Sequence, residues 1–549
     1  MSVRKLQLDI EELRKASQKA LERGDFEDSI FFIKKAIDME NEDADSDFLA
    51  KIYRNSGLFN ESNKILFKLY NKTGDQKYLN QVVDNLVDND NVTEALRYEE
   101  QGVQINSIDM NDIEKMFNNL FNEPKKFKVA YPITEEYFEQ VLDKARELST
   151  AGEFLQSNKL LEFRDYSKLD NYIDAIRIKA VNYMNLGDVN GLIEFSKSLL
   201  NTKYEVYART YLMFCYLQIE DNANAREELN KVIKLQPEEN IVLSMPIMLV
   251  DTNFLEESLY FANQIIENYS YGVKDICLKA ILEYLLNERL KAYKTLSKAN
   301  KIFGNSPYIY IVKTVFDLDV EAKKVSEFID IIDNKIVTTI NYLSEIIVKG
   351  SKQKAIDLII SDEFTNNVFR YVLMSNNVKH INAFIKILDV AFTEEIGDIL
   401  RELLLDNFVL DEVKTSIIKI LIEFSEDKRI SFVLANLYLD YDFTYPLNHF
   451  EENVLVGYYD ALLFNFQASI TPINDGKIIA DKLKAIDKLC VDKKVALNDC
   501  DSRIISVLLC YNKGMFNEES NLNKLLAIFG VKREEFDRWY SFLQNLIEV

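Results

Sequence analysis

The sequence predicts an all-α protein: a right-handed solenoid of antiparallel helix pairs, with a more irregular helical C-terminal half. Three observations carry this. A turn signal recurs at near-constant spacing, because Gly24, Gly57 and Asp90 are each followed by Phe26, Phe59 or Val92 and then by Ser29, Ser62 or Ala95. The same signal returns at Gly152, Gly187 and Glu220, and a fixed period in the low thirties is the mark of stacked helix pairs. Gly (15) and Pro (7) are scarce in 549 residues, which favours helices joined by short loops over a β-rich fold. Apolar residues make up 48% of the chain, ample material for a core.

The window 207–240 shows how one pair is built. Tyr211, Leu212, Cys215 and Tyr216 fall at helical spacing, and a polar break at 220–222 follows. A second amphipathic segment carries Ala225, Leu229, Val232 and Ile233, and Pro237 closes it. Earlier copies repeat the order. The first offers Leu13, Ala16, Ser17, Ala20, Gly24, Phe26, Ser29, Ile33 and Ala36. The second offers Leu49, Ala50, Tyr53, Gly57, Phe59, Ser62 and Leu66. Further copies carry Ala145, Leu148, Phe154, Ser157 and Leu161, then Ala180, Tyr183, Val189 and Leu192, then Ala280, Ala292, Leu296 and Ala299. A weaker copy surrounds Phe254.

These units resemble tetratricopeptide repeats. In that family small residues let the two helices of a pair approach closely, and a proline often ends the unit. The family's tryptophan is absent, since Trp539 is the only one, and its glycine is replaced by Ala, Ser or Met. The resemblance covers residues 8–305. The phase breaks once, between Asp90 and Gly152, where a stretch containing Pro124 and Pro132 reads either as an irregular connection or as a distorted repeat. The expected organisation is therefore N-terminal repeats at 1–105, a connection at 106–135, central repeats at 136–305, and a helical C-terminal region with a cap at 306–549.

Beyond Pro307 the pattern loosens but stays helical. Leu343, Ile346, Gly350, Ala355 and Ile359 keep the repeat-like order, whereas 398–422 resembles a HEAT-type helix pair. Helix, Gly514, Phe516, helix recurs near the end, with Trp539 and Tyr540 expected to cover the last apolar face as an array requires. The segment 439–450 is set apart by four aromatics, Pro446 and no helical period, so it reads as a loop that either binds a partner or folds back over the core.

A formal net charge of −23 provides no cationic footprint for nucleic acid and disfavours an anionic membrane. A basic partner is compatible with it, and so is plain solubility. Cys215, Cys277, Cys490, Cys500 and Cys510 are odd in number and form no CxxC pair, which reads as reduced thiols in a cytoplasmic protein. The opening segment turns acidic without an apolar stretch, so no signal peptide is expected. The purest apolar run, 241–250, is ten residues and too short to span a bilayer.

Catalytic patterns are missing. The two histidines, His380 and His449, lie far apart in sequence, and neither HExxH, a phosphate-binding glycine loop nor GxSxG occurs. No cofactor, metal or enzymatic activity is expected, although abundant carboxylates leave a hydrolase open by motif alone. What remains is surface. The resemblance implies that the first helix of each pair lines an inner groove. The early groove then presents Arg14, Gln18, Lys51, Arg54 and Asn55, which can clamp a carboxylate or stand as ordinary solvated helix faces. The central groove presents Arg177, Asn185, Tyr207, Thr210, Phe214, Gln218 and Tyr284, suited to a peptide unless the rings pack between neighbouring pairs. The leading expectation is a scaffold that binds a peptide or partner protein in this groove. A regulator that responds to a peptide through a separate effector is the alternative, and a carboxylate-based hydrolase the third reading.

Overall fold

The structure is a computed structural model that describes residues 9–89, 91–98, 135–163, 166–169, 171–443, 450–468, 472–492, 495–511 and 518–543. The expected connection at 106–135 lies almost wholly outside them, as do His449 and Gly514. Contacts divide the chain into two units: Met1–Glu123 with Leu296–Val320 and Asp330–Val549, and Pro124–Thr295 with Glu321–Ile329.

The first three hundred residues form the helix pairs that the phase implies. The pairs are α1 (Ile10–Glu22) with α2 (Phe26–Met39), α3 (Asp43–Asn55) with α4 (Phe59–Thr73), and α5 (Lys77–Asp88) with the short α6 (Val92–Leu96). In the second unit come α7 (Glu135–Thr150) with α8 (Phe154–Glu162), α9 (Tyr172–Leu186) with α10 (Val189–Ser198), and α11 (Glu205–Gln218) with α12 (Asn222–Lys234). Then follow α13 (Glu239–Met248) with α14 (Leu255–Asn268), then α15 (Val273–Leu285), and α16 (Arg289–Phe303), which begins in the second unit and ends in the first. The recurring turn signal has a backbone meaning. Gly24, Gly57, Gly152 and Gly187 all have positive φ, and Glu220 and Asn287 occupy the same slot at 60° and 63°. A left-handed residue there ends the first helix and turns the chain into the second, which is why glycine recurs. The small residues act where the helices cross. Ser17 Oγ donates to the Ser29 carbonyl at 2.7 Å and Ser29 Oγ to the Ser17 carbonyl at 2.9 Å, a reciprocal bond that larger side chains would prevent.

Later helices are α17 (Pro307–Asp317), α18 (Val325–Val348), α19 (Lys352–Ser361), α20 (Glu363–Leu373), α21 (Val378–Ala391), α22 (Glu394–Leu404) and α23 (Asp411–Phe424). After them come α24 (Glu452–Ala468), α25 (Pro472–Asp492), α26 (Ser502–Cys510), α27 (Glu518–Phe529) and α28 (Arg533–Leu543). The HEAT-like segment is the pair α22–α23. Near the end Tyr540 stacks on Phe536 at 5.3 Å, and both rings meet Tyr511.

The expectation of a loop at 439–450 needs correction over its first part. An antiparallel hairpin, β1 (Arg429–Leu434) and β2 (Leu437–Asp442), includes Leu439–Asp442, while 444–449 lie outside the described residues. Ile430 and Phe432 flank the part-exposed Ser431, Val433 and Leu434 are both buried, and Ile430, Phe432 and Leu434 pair with Tyr441, Leu439 and Leu437. Both turn residues, Ala435 and Asn436, have positive φ, as a two-residue type I′ turn requires.

In the first unit the N-terminal pairs pack on residues far along the chain, which the expected segmentation had placed in separate regions. Lys34 Nζ and the Tyr53 hydroxyl both donate to the Ile302 carbonyl, one of the orphan acceptors at the end of α16. Burial pushes Lys34 down to about 8. Lys64 pairs with Asp406 at 2.6 Å, and Glu402 accepts from Lys68 at 2.9 Å and Arg370 at 3.0 Å. Burial would raise Glu402, but the two cations overcome it and hold the carboxyl at about 2. Its folded pKa is thus below its unfolded value near 4.5, so its contribution is present above that value and lost as pH falls through about 2. The stability gap between the wild type and Glu402→Gln, measured by urea unfolding, is expected to narrow steadily between pH 5 and pH 2. A pH-independent gap would mean that the ion pairs do not stabilise the fold; because the carboxylate is half-exposed, the effect is modest.

Candidate binding faces

The first helices of neighbouring pairs lie side by side, and their polar contacts form ladders. On the early face Arg14 grips Asp45 through Nε and NH2 at 2.8–3.1 Å, and also reaches Glu11 and Glu42 at 2.8 Å. Asp45 first, then Glu11, push the guanidinium further up. Arg54 pairs with Asp84 at 3.3 Å and Asp88 at 2.6 Å on the next first helix. Lys51 stands 3.5 Å from Asp47, Gln18 donates to Glu22, and Asn55 is exposed. Each cation of this set therefore has a carboxylate partner within the protein, so an incoming carboxylate would have to displace one.

The central face lies on α9, α11 and α13. Asp174 receives Arg146 at 3.0 Å and Arg177 at 3.3 Å. Arg177 NH2 reaches the Tyr207 hydroxyl at 3.2 Å, and its guanidinium lies 5.6 Å from that ring's centre. The Tyr207 hydroxyl donates to Glu238 at 2.7 Å and accepts from Asn240 at 3.2 Å. Burial, reinforced by Glu238, pushes that phenol above its usual range. Tyr207 and Thr210 are buried within this ladder, and Tyr284 is buried against Phe328. Phe214 is partly exposed, and Gln218 and Asn185 are exposed. One turn beyond the ladder the same helix faces carry Val181 (48% exposed), Phe214 and Ile247 (77%), with Leu243 (41%) beside them.

Val181, Leu243 and Ile247 were not picked from the sequence, yet the phase marks them: Val181, Phe214 and Ile247 stand 33 residues apart. A second signal also went unused. FNESNK at 59–64 and FLQSNK at 154–159 place the same rivet in two pairs. Asn85 Nδ2 donates to Ser62 and Asn63, and Asn182 Nδ2 donates to Ser157 and Asn158, at 2.7–2.9 Å throughout. The copies differ at one atom. Ser149 donates to Asn182 Oδ1 at 2.6 Å, whereas the corresponding residue in the N-terminal copy, Arg54, is turned to Asp84 and Asp88, and Asn85 Oδ1 has no partner among the described residues. Ser149→Ala is expected to cost about 1–2 kcal/mol by leaving a buried acceptor unpaired, measured by urea unfolding. A cost near zero would show that such an acceptor is tolerated in both copies.

Burial pushes the Cys215 thiol up to about 11 and those of Cys500 and Cys510 up to about 12, so all three stay protonated at neutral pH. Among the described residues no cluster of three or more His, Cys, Asp or Glu is placed to hold a metal, and no helix is long and apolar enough to cross a membrane.

No protein-family model matches the chain, and no curated protein matches it. Solved structures similar to it include the yeast Tom70 crystal structure, at 11% identity over 89% of this chain and 98% of that one, with a TM-score of 0.21. Another is the APC/C hetero-tetramer Cut9-Hcn1, at 14% identity over 95% of this chain and 97% of that one, with a TM-score of 0.22. At these scores neither likeness decides anything about the chain, and its class rests on its own geometry: an all-α array of tetratricopeptide-like helix pairs.

Proposed function

We propose that this chain is a non-catalytic interaction scaffold, and that a peptide or partner protein docks on the central first-helix face of α9, α11 and α13. The observation that supports this is the apolar row Val181, Phe214 and Ile247. These side chains recur at the repeat period on adjacent helices, yet two of them stay well exposed in a region whose other periodic apolar residues are buried. Contiguous exposed apolar surface rimmed by polar groups marks interaction sites. The residues named from the sequence then divide by role. Arg177 and Tyr207 hold the first helices in register, Thr210 is buried and bonds within its own helix, and Phe214, Gln218 and Asn185 are open to a partner. In the early set Arg14 and Arg54 tie one pair to the next, while Gln18 and Lys51 bond within their own helices.

A photo-crosslinker placed at Ile247 tests the reading, with one at Lys197 on the second-helix face as the reference. Crosslinking of a partner in lysate from Ile247, absent from Lys197 and lost when Val181→Asp is added, is expected. Equal crosslinking from both positions would overturn the site. Both replaced side chains are exposed or half-exposed, so the melting temperature is expected to shift little.

A further inference from the structure

We infer that the occupant of the central face is a basic, apolar segment: a short stretch of partner chain whose apolar side chains recur about every 10 Å between Lys or Arg residues. This rests on the docking reading above. Two properties of the face select that chemistry.

The first is spacing. Val181, Phe214 and Ile247 project from three neighbouring helices, and packed helices lie about 8–10 Å apart. A polyproline-II segment has three residues per turn and advances about 3.1 Å per residue, so every third side chain lies on one face at about 9.3 Å and matches the row. A helix matches with every seventh, at about 10.5 Å. A single apolar anchor would leave the row partly open.

The second is charge. Every cation on α9, α11 and α13 is already committed inside the protein. Arg177 is held by Asp174, Lys179 by Glu162 at 2.7 Å, and Arg209 by Glu205 and Glu228. α13 carries no cation at all. The carboxylates that border the row are not so committed. Glu220 follows α11, Asp251 follows α13, and Glu239 opens α13; all three are exposed, and none is ion-paired among the described residues. Residues 135–295 as a whole carry 26 carboxylates against 18 Lys and Arg. An acidic segment would find no uncommitted cation on the three helices themselves. A basic one gains complementary charge beside α11 and α13, and that complementarity chooses among partners.

Fluorescence anisotropy with three labelled 13-residue peptides tests the inference on the full-length chain. One carries Leu at every third position with Lys between. The second keeps each Leu and replaces each Lys by Glu. The third keeps each Lys and replaces each Leu by Ser. A 15-residue helical counterpart of each, with Leu at positions 1, 8 and 15, is run alongside. The Leu–Lys peptide is expected to bind at least about tenfold tighter than either relative, and to weaken as salt rises from about 50 to 500 mM. Equal or tighter binding of the Leu–Glu peptide, or no binding by either Leu–Lys form, overturns the inference. Binding of the Leu–Lys peptide that survives Val181→Asp with Ile247→Asp overturns the docking face instead. The double variant's circular dichroism melt, matched to that of the wild type, shows that loss of binding is not loss of fold. Loss of binding on Glu220→Lys with Asp251→Lys, and not on Glu194→Lys on the second-helix side, is the expected charge signature. Equal loss in both would reduce the effect to net charge and overturn the assignment to this face.

Discussion

Arg97→Ala is expected to cost about 3 kcal/mol of stability, a large share of the roughly 5–15 kcal/mol that holds a typical fold together. Arg97 is 5% exposed and lies just beyond α6. One guanidinium nitrogen donates to the Ala435 carbonyl at 3.2 Å, and another donates to the Phe466 carbonyl. Next to it the Tyr98 hydroxyl donates to the Asn436 carbonyl and accepts from the Tyr438 amide at 3.1 Å. From the opposite side Asp411 accepts the Ala435 amide at 2.8 Å, and the buried Lys414 donates to the Val433 carbonyl at 2.7 Å. The hairpin turn is thus held by its main chain in a socket of four side chains. Alanine at 97 strands two carbonyls in the interior, each worth about 1–3 kcal/mol when left unpaired, and opens a cavity besides. Arg97→Lys keeps the charge but not the fork, so it is expected to recover less than half of the loss. Urea unfolding gives the magnitude. Hydrogen exchange gives the location, with the amides of Ala435 and Tyr438 losing protection first. A cost below 1 kcal/mol would mean that the socket is incidental to the fold.

The socket also shows where the sequence stops being legible. The repeat phase is a local pattern, written within some thirty residues, and it placed the turns at Gly24, Gly57, Gly152 and Gly187 and even at Glu220 and Asn287, which adopt the same left-handed backbone. Contacts between Arg97 and Phe466, or Lys34 and Ile302, join residues more than 250 apart, and no spacing rule reaches them. Lys34, Lys64 and Arg97 look like ordinary surface cations in the sequence. Each is drawn inward because a distant carbonyl or carboxylate needs a donor. The hairpin was legible in principle: Ile430, Phe432 and Leu434 alternate, two residues intervene, and Leu437, Leu439 and Tyr441 alternate again. A helical period on both sides drew attention away from a strand period of two. At the binding face the phase did name Phe214, but Tyr207 and Tyr284 share its aromatic character and are buried. Exposure at a repeat position depends on what the next pair places beside it.

Gly457→Ala is expected to destabilise the chain by about 2–3 kcal/mol, although the same change in an open helix stabilises by about 1 kcal/mol. Gly457 lies in α24 where that helix crosses α26. A Cβ at this position would sit 2.5 Å from the Ser502 carbonyl oxygen and 2.8 Å from Ile505 Cβ. Small residues line the crossing at intervals of four: Gly457 and Ala461 on one helix, and Ser502, Ser506 and Cys510 on the other. That spacing lets the ridges of each helix sink into the grooves of the other. Close approach also makes the polar contacts possible. Ser506 Oγ donates to the Gly457 carbonyl at 3.0 Å, and Cys510 Sγ lies 3.8 Å from the Ala461 carbonyl. The oxygen blocking the methyl belongs to a main chain, so no rotamer can relieve the overlap; the helices must separate, and both contacts lengthen together. Gly476→Ala makes the comparison, because a Cβ there meets only the side-chain ends of Leu462 and Phe466, at 3.1 and 3.2 Å. Those ends can shift, so its cost is expected to fall below 1 kcal/mol. If urea unfolding ranks the two variants the other way, side-chain packing around α25, and not backbone approach at the α24–α26 crossing, limits the stability of the C-terminal helices.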